Sequence, residues 1–321
     1  MRKIAVTREI FDETIEYLES HFIVKAHKRD CPLSKEDTFN LIADVEGIQV
    51  SGSDLVDEEF LLAAPRLKII ANTAVGYNNI DVDVCSERGI MVTNTPGVLD
   101  GTVADYAMGL MISACRRMSE AERFLKQGKW DAFYFKELMG LDVHGATIGI
   151  FGFGRIGQEI AKRAQGFGMR VVYHSRNRVA QDVEKQFGAE YSNKTELLKM
   201  ADIVMLILPY SAETHHFIGR EELSLMKKKS VLINIARGGI VDDEALIKSL
   251  KAKDIYAAGL DVYENEPQLN KGFLELDNVT LSPHIGSASE PTRRAMAMAA
   301  AKNLVAVLSE DKLPPNWVNP R

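Results

Sequence analysis

The chain has 321 residues, 46% of them hydrophobic and 26% charged, with a formal net charge of -6. That length favours two domains over one core, and the acidic balance argues against nucleic acid as a partner. No run approaches the roughly 20 apolar residues that cross a bilayer, so no membrane partner is expected. The three cysteines, Cys31, Cys85 and Cys115, form neither a disulfide framework nor a Cys-x-x-Cys pair. Met1-Arg-Lys-Ile-Ala-Val enters a strand at once, without an apolar signal core, and the expected location is cytoplasmic.

From residue 1 to about 100, short apolar runs alternate with helical patterns: Lys3–Val6, Phe22–Val24, Gly47–Val50, Leu67–Ile70 and Ile90–Val92. Ser34 with Asp37 reads as a capping-box start for a helix running to Ala43, and Gly89 as a C-terminal cap after Asp81–Arg88. These alternations predict a small doubly wound unit. Thr102 to about Lys126 carries apolar residues at helical spacing with only Gly109 inside, which predicts one long helix bridging two domains.

A second doubly wound unit follows, with six strands expected near Thr147–Phe151, Arg170–Tyr173, Ile203–Leu208, Val231–Ile235, Tyr256–Leu260 and Val279–Leu281. Ser289–Leu308 predicts a last helix that returns to the first domain. The expected fold is therefore α/β, a Rossmann-type doubly wound parallel sheet plus a smaller flavodoxin-like substrate domain. Residues 1–100 and 286–321 would form the discontinuous substrate-binding domain, and 101–285 the dinucleotide-binding domain.

Gly152-Phe-Gly154-Arg-Ile-Gly157 closes a strand and opens a helix. Gly152 permits the tight turn, Gly154 lets the backbone approach a pyrophosphate, and Gly157 allows close strand–helix contact. A purely structural turn is the alternative. About 20 residues on, where an NAD site carries an acidic residue, this chain has Ser175, followed by Arg176 and Arg178. With no carboxylate to repel a 2'-phosphate and two guanidinium groups to pair with it, NADP(H) is expected over NAD(H), which remains the second cofactor; the alternative is a solvated basic turn.

Three polar residues follow strand-like runs in the C-terminal third: Arg237, Glu266 and His284. An anion binder, a carboxylate and an imidazole at strand ends suit carbonyl reduction or its reverse, with Arg237 holding a carboxylate, His284 moving a proton and Glu266 keeping the imidazole charged. Val75 and Gly76 lie between a strand and a helix, where their backbone N–H groups can face a substrate carboxylate. Leu99 either packs on the substrate or belongs to the core. His215 and His216 read as a solvated helix start, and no clustered spacing argues for a metal.

The segments Thr73–Asp81, Asn94–Leu99, Gly152–Gly157, Leu206–Pro209 with Thr214, Ile235–Gly238, Gly259–Val262, Glu266-Pro267 and Pro283–Gly286 together resemble the D-isomer-specific 2-hydroxyacid dehydrogenases. Within that family the chain looks most like the glyoxylate/hydroxypyruvate reductase and 2-ketogluconate reductase branch. The resemblance covers essentially the whole chain. It implies NADPH-dependent reduction of a small 2-keto acid such as glyoxylate, hydroxypyruvate or 2-ketogluconate to a D-2-hydroxy acid, with Arg237 also on the carbonyl oxygen and His284 as proton donor. It also implies cofactor neighbours at Thr102, Arg155, Ile156, Pro209, Thr214, Ile235, Ala236, Asp261 and Gly286. The aromatic cluster Trp130, Phe133, Tyr134 and Phe135 then marks a homodimer contact. Two other readings stay open: NAD-linked oxidation of a D-2-hydroxy acid, or a dinucleotide-sensing, corepressor-like scaffold.

Overall fold

A computed structural model describes residues 1–320. The first unit runs β1 (Lys3–Val6), α1 (Asp12–Glu19), β2 (Ile23–Ala26), α2 (Lys35–Ile42), β3 (Gly47–Val50), α3 (Glu58–Ala63), β4 (Ile69–Asn72), α4 (Val82–Glu87) and β5 (Met91–Thr93). Its strands pair in parallel in the order β2-β1-β3-β4-β5, the flavodoxin-like arrangement. Both faces are covered, so consecutive residues of one strand serve different cores. Ala5, Ile48 and Ile70 join Ile42, Phe60 and Cys85 on one side. Their neighbours Ile4, Val6, Ile69 and Ala71 meet Leu18, Ala300, Leu304 and Leu308 on the other. Ser34 caps α2 through the Asp37 amide, but its hydroxyl meets the Asp37 carboxylate, so the reciprocal half of the box is absent. Gly89 sits at φ 70 past α4.

The second unit begins with α5 (Asp100–Cys115) and α6 (Met118–Lys126), two helices where one was predicted. Between them Arg117 takes the left-handed conformation at φ 54. The break has a tertiary cause: the amide of Leu141 takes the Cys115 carbonyl at 2.8 Å, removing an acceptor that a continuing helix needs. The chain continues through β6 (Thr147–Phe151), α7 (Arg155–Gly166), β7 (Arg170–His174), α8 (Gln181–Phe187), β8 (Ala189–Tyr191), α9 (Lys194–Met200), β9 (Ile203–Leu206), α10 (Arg220–Leu225), β10 (Val231–Asn234), α11 (Asp243–Ala252), β11 (Ala257–Leu260) and β12 (Val279–Leu281).

These strands form one parallel sheet of seven, not six, in the order β12-β11-β10-β9-β6-β7-β8. The extra edge strand, β8, was missed because only Ala189 of its three residues is buried, which leaves no apolar run to read. Helix α5 packs against α7 and against β10, β11 and β12. The last helix, α12 (Glu290–Leu308), lies on β3 and β4 and beside α1. The chain accordingly divides into two compact units, Met1–Leu99 with the segment from Ala288 onward, and Asp100–Ser287. Among the described residues no helix is long and apolar enough to cross a membrane.

Candidate active site

The strand order reverses between β6 and β9, and in such sheets ligands bind beyond the strand ends at the reversal. Gly152 follows β6 there with φ 97, and a Cβ on it would stand 2.7 Å from the Ile207 carbonyl oxygen just past β9. Only glycine meets both constraints. The next elements leave room: a Cβ on Gly154 would meet nothing within 4 Å. Helix α7 starts at Arg155 and Ile156 with no side-chain cap and no acidic residue in its first turn, and Gly157 is buried within that turn. An open helix N-terminus behind a glycine turn fits the pyrophosphate of a dinucleotide.

At the end of β7 the expected basic pair separates. Arg178 turns to Glu184, with both nitrogens bonded at 2.8 and 2.9 Å. The Arg178 side chain stays 58% exposed in this pair, and a solvent-facing ion pair is weak enough to exchange for a phosphate, so the pairing is compatible with the expected two-arginine contact. Arg176 is exposed and forms no ion pair among the described residues. Ser175 donates its hydroxyl to the Asn177 carbonyl at 2.7 Å. On the next crossing Thr214 donates to the Pro209 carbonyl at 2.8 Å. Ile235 and Ala236, beyond β10, are buried at 6% and 3% exposure.

Arg237, Glu266 and His284 stand on the loops after β10, β11 and β12, three adjacent strands of the sheet. Asn234 shapes the first loop, donating to the Arg237 carbonyl at 3.2 Å and accepting the Ala236 amide at 3.1 Å. Burial lowers the pKa of the half-buried Arg237 guanidinium, and the Glu266 charge partly offsets this. Glu266 accepts the Tyr263 amide on Oε1 at 2.8 Å, while its Oε2 lies 2.7 Å from His284 Nδ1. Burial would raise the Glu266 carboxyl, but His284, the Tyr263 amide and Arg237 together hold it below the ordinary glutamate range.

His284 itself adopts a left-handed backbone at φ 54, unusual for a residue with a side chain. Asp261 sustains this turn. Its carboxylate, 1% exposed, accepts the Ser282 hydroxyl at 2.7 Å, the Ile285 amide at 2.9 Å and the Gly286 amide at 2.8 Å. The Asp261 carbonyl accepts the His284 amide at 2.9 Å. Tyr106 on α5 bonds Ser282 in turn, and burial pushes its hydroxyl up to about 12. Asp261, expected from resemblance at the nicotinamide, is thus first of all the clamp of the His284 turn. Sequence spacing did not disclose Tyr106, Ser282 or the Tyr263 amide, because each acts from a separate segment.

In the first unit Val75 and Gly76 follow β4 in an irregular turn. Asn94 donates to the Val75 carbonyl at 2.8 Å and Asn72 to the Gly76 carbonyl at 2.9 Å, so both carbonyls are tied back. Leu99 is buried, with 5% exposure, and Thr102 lies in the first turn of α5. His215 and His216 do not start a helix. They follow a 3-10 turn at Ala212–Thr214, and with Glu264 they gather into one cluster.

A doubly wound parallel sheet opening on a glycine turn and an uncapped helix is the frame of a dinucleotide-binding protein. Residues 108–286 match the model of the D-isomer specific 2-hydroxyacid dehydrogenase NAD binding domain. A glyoxylate reductase of Thermococcus onnurineus is 46% identical, over 99% of this chain and 96% of that protein. The crystal structure of a glyoxylate reductase from Paecilomyes thermophila superposes with a TM-score of 0.89 at 34% identity, covering 99% of this chain and 98% of that one. An NADPH-dependent glyoxylate/hydroxypyruvate reductase of Sinorhizobium meliloti, solved with NADP and malonate, gives 0.86 at 37% identity, covering 99% and 96%. The chain belongs to the D-isomer specific 2-hydroxyacid dehydrogenase family and is a nicotinamide-dependent oxidoreductase.

Proposed function

We propose that the chain reduces small 2-keto acids, glyoxylate foremost with hydroxypyruvate and 2-ketogluconate as further substrates, to D-2-hydroxy acids with NADPH, as a homodimer. The observation that carries this reading is the 2.7 Å contact of His284 Nδ1 with Glu266 Oε2, on loops adjacent to that of Arg237. When bound, the nicotinamide cofactor supplies the hydride. Arg237 holds the substrate carboxylate and the carbonyl oxygen through its guanidinium, and its partial burial strengthens the contact. Glu266 accepts the Nδ1 hydrogen of His284 and stabilises the charged ring, so Nε2 is the nitrogen that gives its proton to the carbonyl oxygen.

In this reading residues 101–285 bind the cofactor and the rest of the chain binds the substrate, with the Val75 and Gly76 amides on the carboxylate and Leu99 behind it. The preference for NADPH rests on Ser175 in the place of an acidic residue and on Arg176, which forms no ion pair among the described residues. Support for the homodimer comes from Trp130, Phe133 and Phe135, whose exposures of 62%, 89% and 88% are high for aromatic side chains. Trp130 and Phe133, together with Tyr134, Phe124 and Leu125, border an apolar hollow.

The test is kcat/KM for glyoxylate, hydroxypyruvate and 2-ketogluconate with NADPH and with NADH. Glyoxylate and NADPH are expected to give the highest value, and no turnover of any 2-keto acid would overturn the reading. Light scattering at micromolar protein checks the dimer, which a monomeric mass would exclude.

A further inference from the structure

His216 Nε2 contacts the Glu264 carboxylate, although 48 residues separate them in sequence. The rings of His215 and His216 lie stacked with centroids 4.0 Å apart and an interplanar angle of 21°. One donor atom from each of His215, His216 and Glu264 lies within 4.8 Å of the others. We propose that His215, His216 and Glu264 form a binding site for a divalent transition ion of the zinc class, separate from the catalytic residues.

The donor set selects the ion. Two imidazoles and one carboxylate suit borderline ions over calcium or magnesium, and three protein donors leave further positions for water. Donors around tetrahedral zinc stand about 3.3 Å apart, given bonds of about 2.0 Å, so closing this cluster requires side-chain shifts of roughly an ångström.

Both sides of the site are built on fixed backbone. The His216 amide donates to the Gly239 carbonyl at 2.7 Å, and His216 holds φ 50. The Glu264 amide donates to the Asp243 carboxylate at 3.3 Å. The Tyr210 hydroxyl lies 3.1 Å from His215 Nδ1, a contact of the kind that orients a ligating ring. A simple His216–Glu264 hydrogen bond needs neither the stacked second imidazole nor its tyrosine partner. An ion here links the turn after Thr214 to the loop that carries Glu266, two residues beyond Glu264.

The experiment uses the full chain stripped with chelator and titrated with Co2+, then with Zn2+ in competition. One Co2+ per chain is expected, with the visible d–d absorption of a four- or five-coordinate ion. His216→Ala and Glu264→Gln should each weaken binding about tenfold or more, taking the losses seen for outer-shell changes as a lower bound. His284→Gln tests the other imidazole–carboxylate pair and should leave Co2+ affinity unchanged. The proposal is overturned if the His215→Ala/His216→Ala double variant binds Co2+ as the parent does. It is equally overturned if His284→Gln, rather than His216→Ala, abolishes the signal.

Discussion

Replacing Asp261 tests how the backbone turn at His284 is held. Its carboxylate accepts the Gly286 amide in a buried contact, the Ile285 amide in a partly buried one and the Ser282 hydroxyl. Asp261→Ala leaves these donors without their acceptor. A buried donor left unmet costs about 1–3 kcal/mol, so the two amides together imply a loss of about 2–5 kcal/mol after partial rehydration at Ile285. A unit of this size loses about 2–4 °C of melting temperature per kcal/mol, which makes the change plain in a thermal scan. Asp261→Asn is the sharper variant. The amide keeps one oxygen for Ser282 and Ile285 but turns its NH2 group toward the Gly286 N–H, and should cost about 2–3 kcal/mol. Because His284 rides on this turn, kcat should fall as well, by up to about a hundredfold for a displacement near 1 Å. Urea and thermal unfolding measure the first effect, and kcat with cofactor titration the second. An Asp261→Asn protein that melts with the parent and keeps its kcat would refute the clamp. Weakened cofactor binding with unchanged stability and kcat would move Asp261 to the nicotinamide alone.

Three further outcomes are expected. Glu266→Gln should remove a pH dependence from stability. The folded pKa of this carboxyl is depressed, so its contribution is present above the unfolded value of about 4.3 and is lost as pH falls through the lower folded value. Parent and variant melting temperatures should therefore converge only in that acid range, as scanning at stepped pH will show. Gly238→Ala puts a Cβ 1.7 Å from the Tyr263 carbonyl oxygen, a backbone atom that cannot swing aside. It should destabilise by about 2 kcal/mol or more and reduce kcat through the adjacent Arg237, measured by urea unfolding and steady-state rates. In native protein only the exposed Cys31 should react with Ellman's reagent, because burial pushes the thiols of Cys85 and Cys115 up to about 11 and 12; rapid labelling of either contradicts this.

The fold was legible where residue pattern and burial coincide. Runs such as Val231–Asn234 are wholly buried, so an apolar stretch ending in loop chemistry located strand and site together. The glycine turn was equally readable, since φ 97 at Gly152 leaves one residue type. What escaped was decided by distant partners. The break after Cys115 depends on the Leu141 amide and carries neither glycine nor proline at Arg117. The Arg178–Glu184 pair was likewise invisible, because Glu184 stands on the following helix, α8. Asp261 was expected at the cofactor from resemblance; its engagement with Ile285 and Gly286 is visible only in three dimensions.

The position of α12 bears on the order in which the chain acquires structure during synthesis. One face of the first sheet is completed by Ala300, Ala301, Leu304, Val305 and Leu308, which pack on Ile4, Val6, Ile69 and Ala71. Those strands emerge from the ribosome well before α12 and remain bare on that side until α12 has been made. The unit from Asp100 to Ser287 contains all of its own strands and can close first. The first sheet is therefore finished after the second, and at about 5–20 residues per second its exposed face must be shielded for at least ten seconds or so.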